Sequence, residues 1–206
     1  MSAAAHNDHF EQPASFAFSE ANLAEARKHI AKYPKGRQAS AVMPLLWLAQ
    51  YQEGWVSRPA MDVIAGMLDM APIRVYEVAT FYTMYNLKPV GKHLVQICRT
   101  TPCWLRGSDG LTEMCKNKLG VDLHGTSADG KFTIMEVECL GACVNAPMVQ
   151  INDDFYEDLT PESLSKVLDE LAAGRQPKIG PQVDRLNSAP EGGMTTLKDV
   201  AKGAGQ

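Results

Sequence analysis

Cys98-Arg-Thr-Thr-Pro-Cys103 and Cys139-Leu-Gly-Ala-Cys143 hold four of the chain's five cysteines. The first stretch follows His93-Leu-Val-Gln-Ile97 and the second follows Lys131-Phe-Thr-Ile-Met-Glu-Val-Glu138. Each cysteine pair is therefore mounted at the end of a predicted strand. Two thiols in one tight loop reach a single metal atom without strain, and a binuclear iron–sulfur cluster takes four thiolates, two per iron. Cys-x4-Cys and Cys-x3-Cys both meet that need. Such a cluster is anionic, so its loops must offer donors and allow close approach. Gly141 permits a near backbone. Trp104-Leu-Arg106 and Gly107 follow Cys103 where a helix is expected to begin, and a helix N-terminus favours negative charge. Arg99 and Arg106 either add positive charge there or form solvated surface.

Spacing alone leaves other uses of paired cysteines open. All-cysteine zinc sites also draw on pairs, with a preference for the shorter Cys-x2-Cys. Disulfides need an oxidising compartment. Met1-Ser-Ala-Ala-Ala-His-Asn-Asp-His-Phe10 has neither the basic and apolar regions of a signal peptide nor the arginines of a transit peptide, which points to a reducing one. Thioredoxin-type exchange uses Cys-x-x-Cys, a spacing this chain lacks. A Rieske centre needs two histidines, and His93 and His124 stand outside both loops. Cys115 steps with Leu111 and Leu119 along one helix face and reads as a small buried hydrophobe.

Asp129-Gly-Lys-Phe-Thr-Ile-Met-Glu-Val-Glu-Cys139-Leu-Gly-Ala-Cys143-Val-Asn-Ala-Pro147 resembles the signature of the E-type subunit of respiratory complex I (NADH–quinone oxidoreductase), a family of thioredoxin-like [2Fe–2S] ferredoxins. The upstream Cys98-x4-Cys103 fits it too, as do Ser40 to Gln50 and Glu77 to Tyr85, so the likeness runs from about Phe18 onward. The resemblance implies a mixed α+β or α/β chain, with an N-terminal helical bundle followed by a thioredoxin-like [2Fe–2S] ferredoxin domain. It implies one [2Fe–2S] cluster on Cys98, Cys103, Cys139 and Cys143, exchanging single electrons with the flavin of a partner. That partner is an F-type subunit holding FMN and NADH, with an adjoining iron–sulfur subunit beside it. The implied setting is a bacterial complex, cytoplasmic and peripheral to the inner membrane. The same module resembles small subunits of NAD-linked hydrogenases and formate dehydrogenases. A structural zinc module or a DNA-binding helical domain is the alternative from another class.

The whole chain is consistent with this range. Its 206 residues are 45% hydrophobic and 21% charged, which suits one or two soluble domains. A net charge of -4 gives no case for nucleic acid or an anionic membrane. No apolar run reaches the length of a membrane span. The expected divisions are a tail over 1–18, a helical bundle over 19–86, a linker over 87–92, the cysteine-bearing domain over 93–174 and an extended tail over 175–206 that packs on a partner.

Within the bundle, Leu23, Ala26, Ile30 and Tyr33 recur behind a Ser19 or Asn22 cap. Val42 to Leu48 form a second helix, kinked at Pro44 and stopped by Gly54. Met61, Ile64, Ala65 and Leu68 follow a Ser57 cap, and Ile73, Tyr76, Ala79 and Phe81 follow Pro72. All four stripes read as core. Asp69-Met-Ala-Pro72 resembles the turn of a helix-turn-helix, yet the helix after it offers phosphates only Arg74, beside Glu77. Thr160-Pro161 starts a later helix, and by resemblance Pro147 is expected to be cis. From Gln176 the periodicity is lost, and that tail is expected to order only against another subunit. No G-x-G-x-x-G follows a strand and no nucleophile–base pair is present, so no NADH, flavin or catalytic site is expected here.

Overall fold

Cap residues and left-handed stops set most of the helix limits. Ser19 accepts the Asn22 N–H at 3.2 Å and starts α1 (Glu20–Ala31). A short 3-10 turn, Gln38–Ala41, leads into α2 (Val42–Glu53), which Gly54 ends at φ 81°. Pro44 is the third residue of α2. Its missing N–H falls among the helix's first, intrinsically unpaired donors, so the expected kink is not required. Ser57 accepts the Ala60 N–H and starts α3 (Arg58–Leu68), and Pro72 opens α4 (Pro72–Phe81). The computed structural model describes residues 10–190, 192, 193, 196 and 197.

The chain divides after Val90 into two compact units. In the first, Ala26, Leu45, Leu46, Ala49, Ile64, Ala65, Val75 and Ala79 form a shared core. The stripe expected on α4 needs correction. Val75 and Ala79 face the core, while Ile73, Tyr76 and Phe81 are exposed, Phe81 at 77%. A ten-residue helix with apolar residues on two sides does not specify which side is buried, and the smaller pair packs more closely on α3. Residues 10–18 are also more than a tail: Phe16 and Phe18 lie against this core and meet edge to face.

The second unit is a five-stranded sheet in the order β2-β1-β3-β4-β5. Its strands are β1 (His93–Cys98), β2 (Phe132–Val137), β3 (Val149–Ile151), β4 (Asp154–Glu157) and β5 (Gly180–Pro181). β1 runs parallel to β2 and antiparallel to β3; β4 is antiparallel to β3 and parallel to β5. Three helices complete it: α5 (Thr101–Leu105), α6 (Ser108–Leu119) and α7 (Pro161–Ala172). Thr160 and Ser163 cap each other's backbone at the start of α7. Leu111 and Cys115 of α6 join Leu164 and Leu168 of α7 over Val95, Ile97 and Ile134.

β5 corrects the expectation for the C-terminal tail. Gly180 and Pro181 pair with Tyr156 and Glu157 of the same chain, and Gln182 N–H donates to the Glu157 carbonyl at 2.9 Å. Main-chain pairing orders this stretch without an apolar period. Most of the tail beyond Pro190 lies outside the described residues. Among those described, no helix is long and apolar enough to cross a membrane.

Candidate metal centre

Both cysteine loops arise at one end of the sheet. β1 lies between β2 and β3, and Cys98 stands beside Val137, the last residue of β2. The Cys139 loop begins two residues after that partner. β3 enters the same end from the other side, so that Cys98 N–H donates to the Met148 carbonyl at 3.3 Å and Arg99 N–H to the Val137 carbonyl at 3.0 Å. Pairing on both flanks of β1 therefore brings together loops separated by some forty residues in sequence.

Cys98 and Cys103 are each 1% exposed and pack with Ala146 and Met148. Cys103 sits inside α5, behind Pro102, so the helix begins before this cysteine and not after it as expected. Cys139 and Cys143 lie at the surface with their sulfurs 3.3 Å apart. Gly141 between them holds φ at 93°, the left-handed turn that lets a three-residue spacing double back. Cys143 begins a one-turn 3-10 helix, Cys143–Asn145, and the Ala146–Pro147 bond that follows is cis.

The thiols sense one another across the two loops. Burial, first, pushes the Cys103 thiol up to about 12; its hydrogen bond with Cys98 and charge on Cys98 and Cys143 push the same way, while a hydrogen bond with the Met148 backbone opposes them. The Cys143 thiol is raised chiefly by its hydrogen bond with Cys139, with charge on Cys139 and Cys98 adding to it. Cys103 and Cys143 thus resist ionisation in the free protein, a burden that a pair of iron cations would relieve, and the two-plus-two grouping of the thiols fits a binuclear cluster. Among the described residues, no three His, Cys, Asp or Glu side chains converge where one metal ion could sit. His93 begins β1, at the opposite end from Cys98. Cys115 is buried in the α6–α7 core, where desolvation pushes its thiol up to about 12.

Several contacts at the site had no motif to announce them. Glu138 of the second loop accepts the Thr100 hydroxyl of the first at 3.1 Å. Glu136 accepts the Thr112 hydroxyl at 3.0 Å and meets Arg99 at 3.5 Å. Arg106 Nε donates to the Ala146 carbonyl at 3.4 Å, so this arginine braces the loop before Pro147. Trp104, Leu105 and Val144, neighbours in sequence of Cys103 and Cys143, are exposed apolar residues. On α4, Arg74 is engaged with Glu77 at 2.8 Å and gives no support to the DNA-binding alternative.

Residues 26–172 match the model of the thioredoxin-like [2Fe–2S] ferredoxins. The chain belongs to that family. The cofactor of a thioredoxin-like [2Fe–2S] ferredoxin is the cluster its name states, and the paired thiols of this ferredoxin unit suit it. The chain is 54% identical over 190 residues to the NADH-quinone oxidoreductase E-type subunit 1 of Rhizobium meliloti, spanning 91% of this chain and 69% of that one. It is 56% identical over 158 residues to the NADH-quinone oxidoreductase E-type subunit of Rickettsia bellii, spanning 76% of this chain and 95% of that one. It is 50% identical over 189 residues to "NADH dehydrogenase [ubiquinone] flavoprotein 2, mitochondrial" of Dictyostelium discoideum, spanning 91% of this chain and 76% of that one. Among solved structures, a chain of an NAD+-reducing [NiFe]-hydrogenase shares the fold, with a TM-score of 0.56 at 15% identity. That likeness covers 63% of this chain and 23% of the hydrogenase chain.

Proposed function

We propose that this ferredoxin is the E-type electron-carrying subunit of an NADH–quinone oxidoreductase, with its [2Fe–2S] cluster on Cys98, Cys103, Cys139 and Cys143. The carrying observation is that two thiol pairs meet at one sheet end, in a chain 54–58% identical to relatives that bear that subunit name. When bound, the cluster supplies reversible one-electron transfer. The protein's own part is to hold four thiolates, to shield two of them and to present the other two. Cys98 and Cys103, buried inside the rim of the sheet with Ala146 and Met148, would hold their share of the cluster away from water. Cys139 and Cys143 open to the surface beside the apolar Val144 and give the shortest route to a partner. That partner is an F-type subunit with FMN and NADH, and no side chain here makes or breaks a substrate bond. An adjoining iron–sulfur subunit completes the neighbourhood, on the cytoplasmic side and peripheral to the membrane. The hydrogenase shares only the fold and adds no support for a hydrogenase role.

Anaerobic purification followed by iron, sulfide and zinc analysis and a dithionite-reduced EPR spectrum tests the cluster. About two iron and two sulfide per chain with an S = 1/2 signal is the expected result. One zinc and no colour overturns the electron-carrier reading. For the partner, NADH is expected to reduce the cluster only after a flavoprotein F-type subunit is added. Reduction of the isolated chain by NADH, or none with the partner bound, rejects that assignment.

A further inference from the structure

Arg185 lies in the part of the tail where sequence periodicity is lost, yet its side chain is 6% exposed. An arginine is buried at a cost unless its fork is engaged, and a buried ion pair is poor grounds for added stability. Its Nη1 is bonded to the Asn145 Oδ1 at 3.0 Å and the Val144 carbonyl at 3.4 Å, and meets Asp158 Oδ1 at 3.5 Å, itself 8% exposed. Two of those three acceptors are the residues directly after Cys143. Asn145 is also held from its other side. Its Nδ2 donates to Glu157 Oε2 at 2.6 Å and to the Asn187 carbonyl at 2.9 Å, and its own carbonyl accepts the Asp158 N–H at 2.8 Å. The 3-10 turn that carries Cys143 is thus tied both to the end of β4 and to the chain's own tail. Cys143 itself is exposed, with its sulfur against that of Cys139, another exposed loop residue. The position of that sulfur depends on the turn, and Arg185 contacts two of the turn's three residues.

We propose that Arg185 is a positioning residue for the cluster: it clamps the turn Cys143–Asn145 so that the exposed thiol pair keeps its place, and the tail is part of the metal centre. The inference rests on the reading that the four cysteines hold a [2Fe–2S] cluster. An outer partner that orients a ligand typically changes metal retention by roughly 10–100-fold when removed.

The test uses the full-length chain with its cluster, prepared anaerobically as wild type, Arg185→Gln, Arg185→Lys and Arg175→Gln. Arg175 belongs to the same tail and is an exposed partner of Glu170, so it serves as the control. The readouts are the rate at which EDTA bleaches the cluster and the g-values of the reduced signal, both taken well below the unfolding temperature. Arg185→Gln is expected to bleach roughly tenfold faster with shifted g-values. Arg185→Lys should be intermediate, because an ammonium on a flexible stem keeps the charge but not the fixed position of Nη1. Arg175→Gln should match wild type. If Arg185→Gln fails to fold, the pair Arg185→Met with Asp158→Asn removes both charges together, and Asn accepts the left-handed backbone at 158 (φ 51°). Fast bleaching in that pair supports the clamp equally. A wild-type rate and spectrum in either variant overturns the clamp, even if the melting temperature falls. A wild-type protein that binds no [2Fe–2S] cluster overturns the reading of the site itself, a separate result seen before any variant is made.

Discussion

The two thiol pairs of this ferredoxin face opposite environments. Cys98 and Cys103 come from the central strand and a short helix, are closed off by Ala146 and Met148, and are tied to main chain on both flanks of β1. Cys139 and Cys143 come from a loop with a left-handed glycine, stand in solvent, and depend on side-chain contacts from distant parts of the unit. One half of the site is built as core and the other as surface. Under the proposed electron-carrying role, that asymmetry separates retention of the cluster from access to it.

Replacing the four cysteines gives the largest test of this contrast. Ala at any of the four positions should abolish the cluster. Serine should distinguish the pairs. At Cys139 or Cys143 a hydrated hydroxyl can still reach iron, so colour should persist with an altered EPR signal, whereas at Cys98 or Cys103 the hydroxyl is buried in an apolar pocket and iron content should collapse. Equal loss in all four serine variants, by iron and sulfide analysis, breaks the comparison.

Alkylation of the cluster-free protein under reducing conditions is next in size. Iodoacetamide followed by peptide mass spectrometry should label Cys139 and Cys143 well before Cys98, Cys103 and Cys115, which are buried. Uniform labelling contradicts the division into an open and a closed half.

Two acids precede the open loop, and their charge should disfavour adding an electron. Glu136→Gln with Glu138→Gln should raise the midpoint potential in a redox titration. Glu138→Gln should account for more of the rise, since Glu136 already faces Arg99 at 3.5 Å. An unchanged potential removes electrostatic tuning from this loop.

Cys115 sharpens the contrast from outside the site. Cys115→Ala should cost roughly 1 kcal/mol in chemical denaturation, as a typical core truncation, and leave iron content at the wild-type level. Loss of iron would make it part of the centre.

The smallest expected effect is on pH dependence. His93 is held below its ordinary value of 6.5, first by burial and then by the charges of Lys92 and Lys131. The unfolded chain therefore binds the proton more readily. Stability is full above about pH 6.5 and falls as acid titrates the unfolded form, until the pH passes below the folded value. His93→Phe should flatten the slope of denaturation midpoint against pH between 7 and 5.

Much of this molecule was legible locally. Ser19, Ser57 and Thr160 cap helices because each contact spans only three residues, and local chemistry decides it. The cysteine spacings likewise gave a paired donor set, because the reach of a thiol within one loop depends on a handful of bonds. A strand was expected ahead of each pair, and each pair follows one. The tertiary structure decided everything that depends on which segments meet. Parallel pairing with β2 and antiparallel pairing with β3 placed the two loops at one sheet end, and no residue in either loop encodes that meeting alone. Packing against α3 chose Val75 and Ala79 over Ile73 and Phe81. A tail without apolar period became β5 and placed Arg185 against Asn145, through main-chain hydrogen bonds and one buried guanidinium. Periodicity records burial of one face of an element, and it carries no trace of contacts made one residue at a time across forty positions.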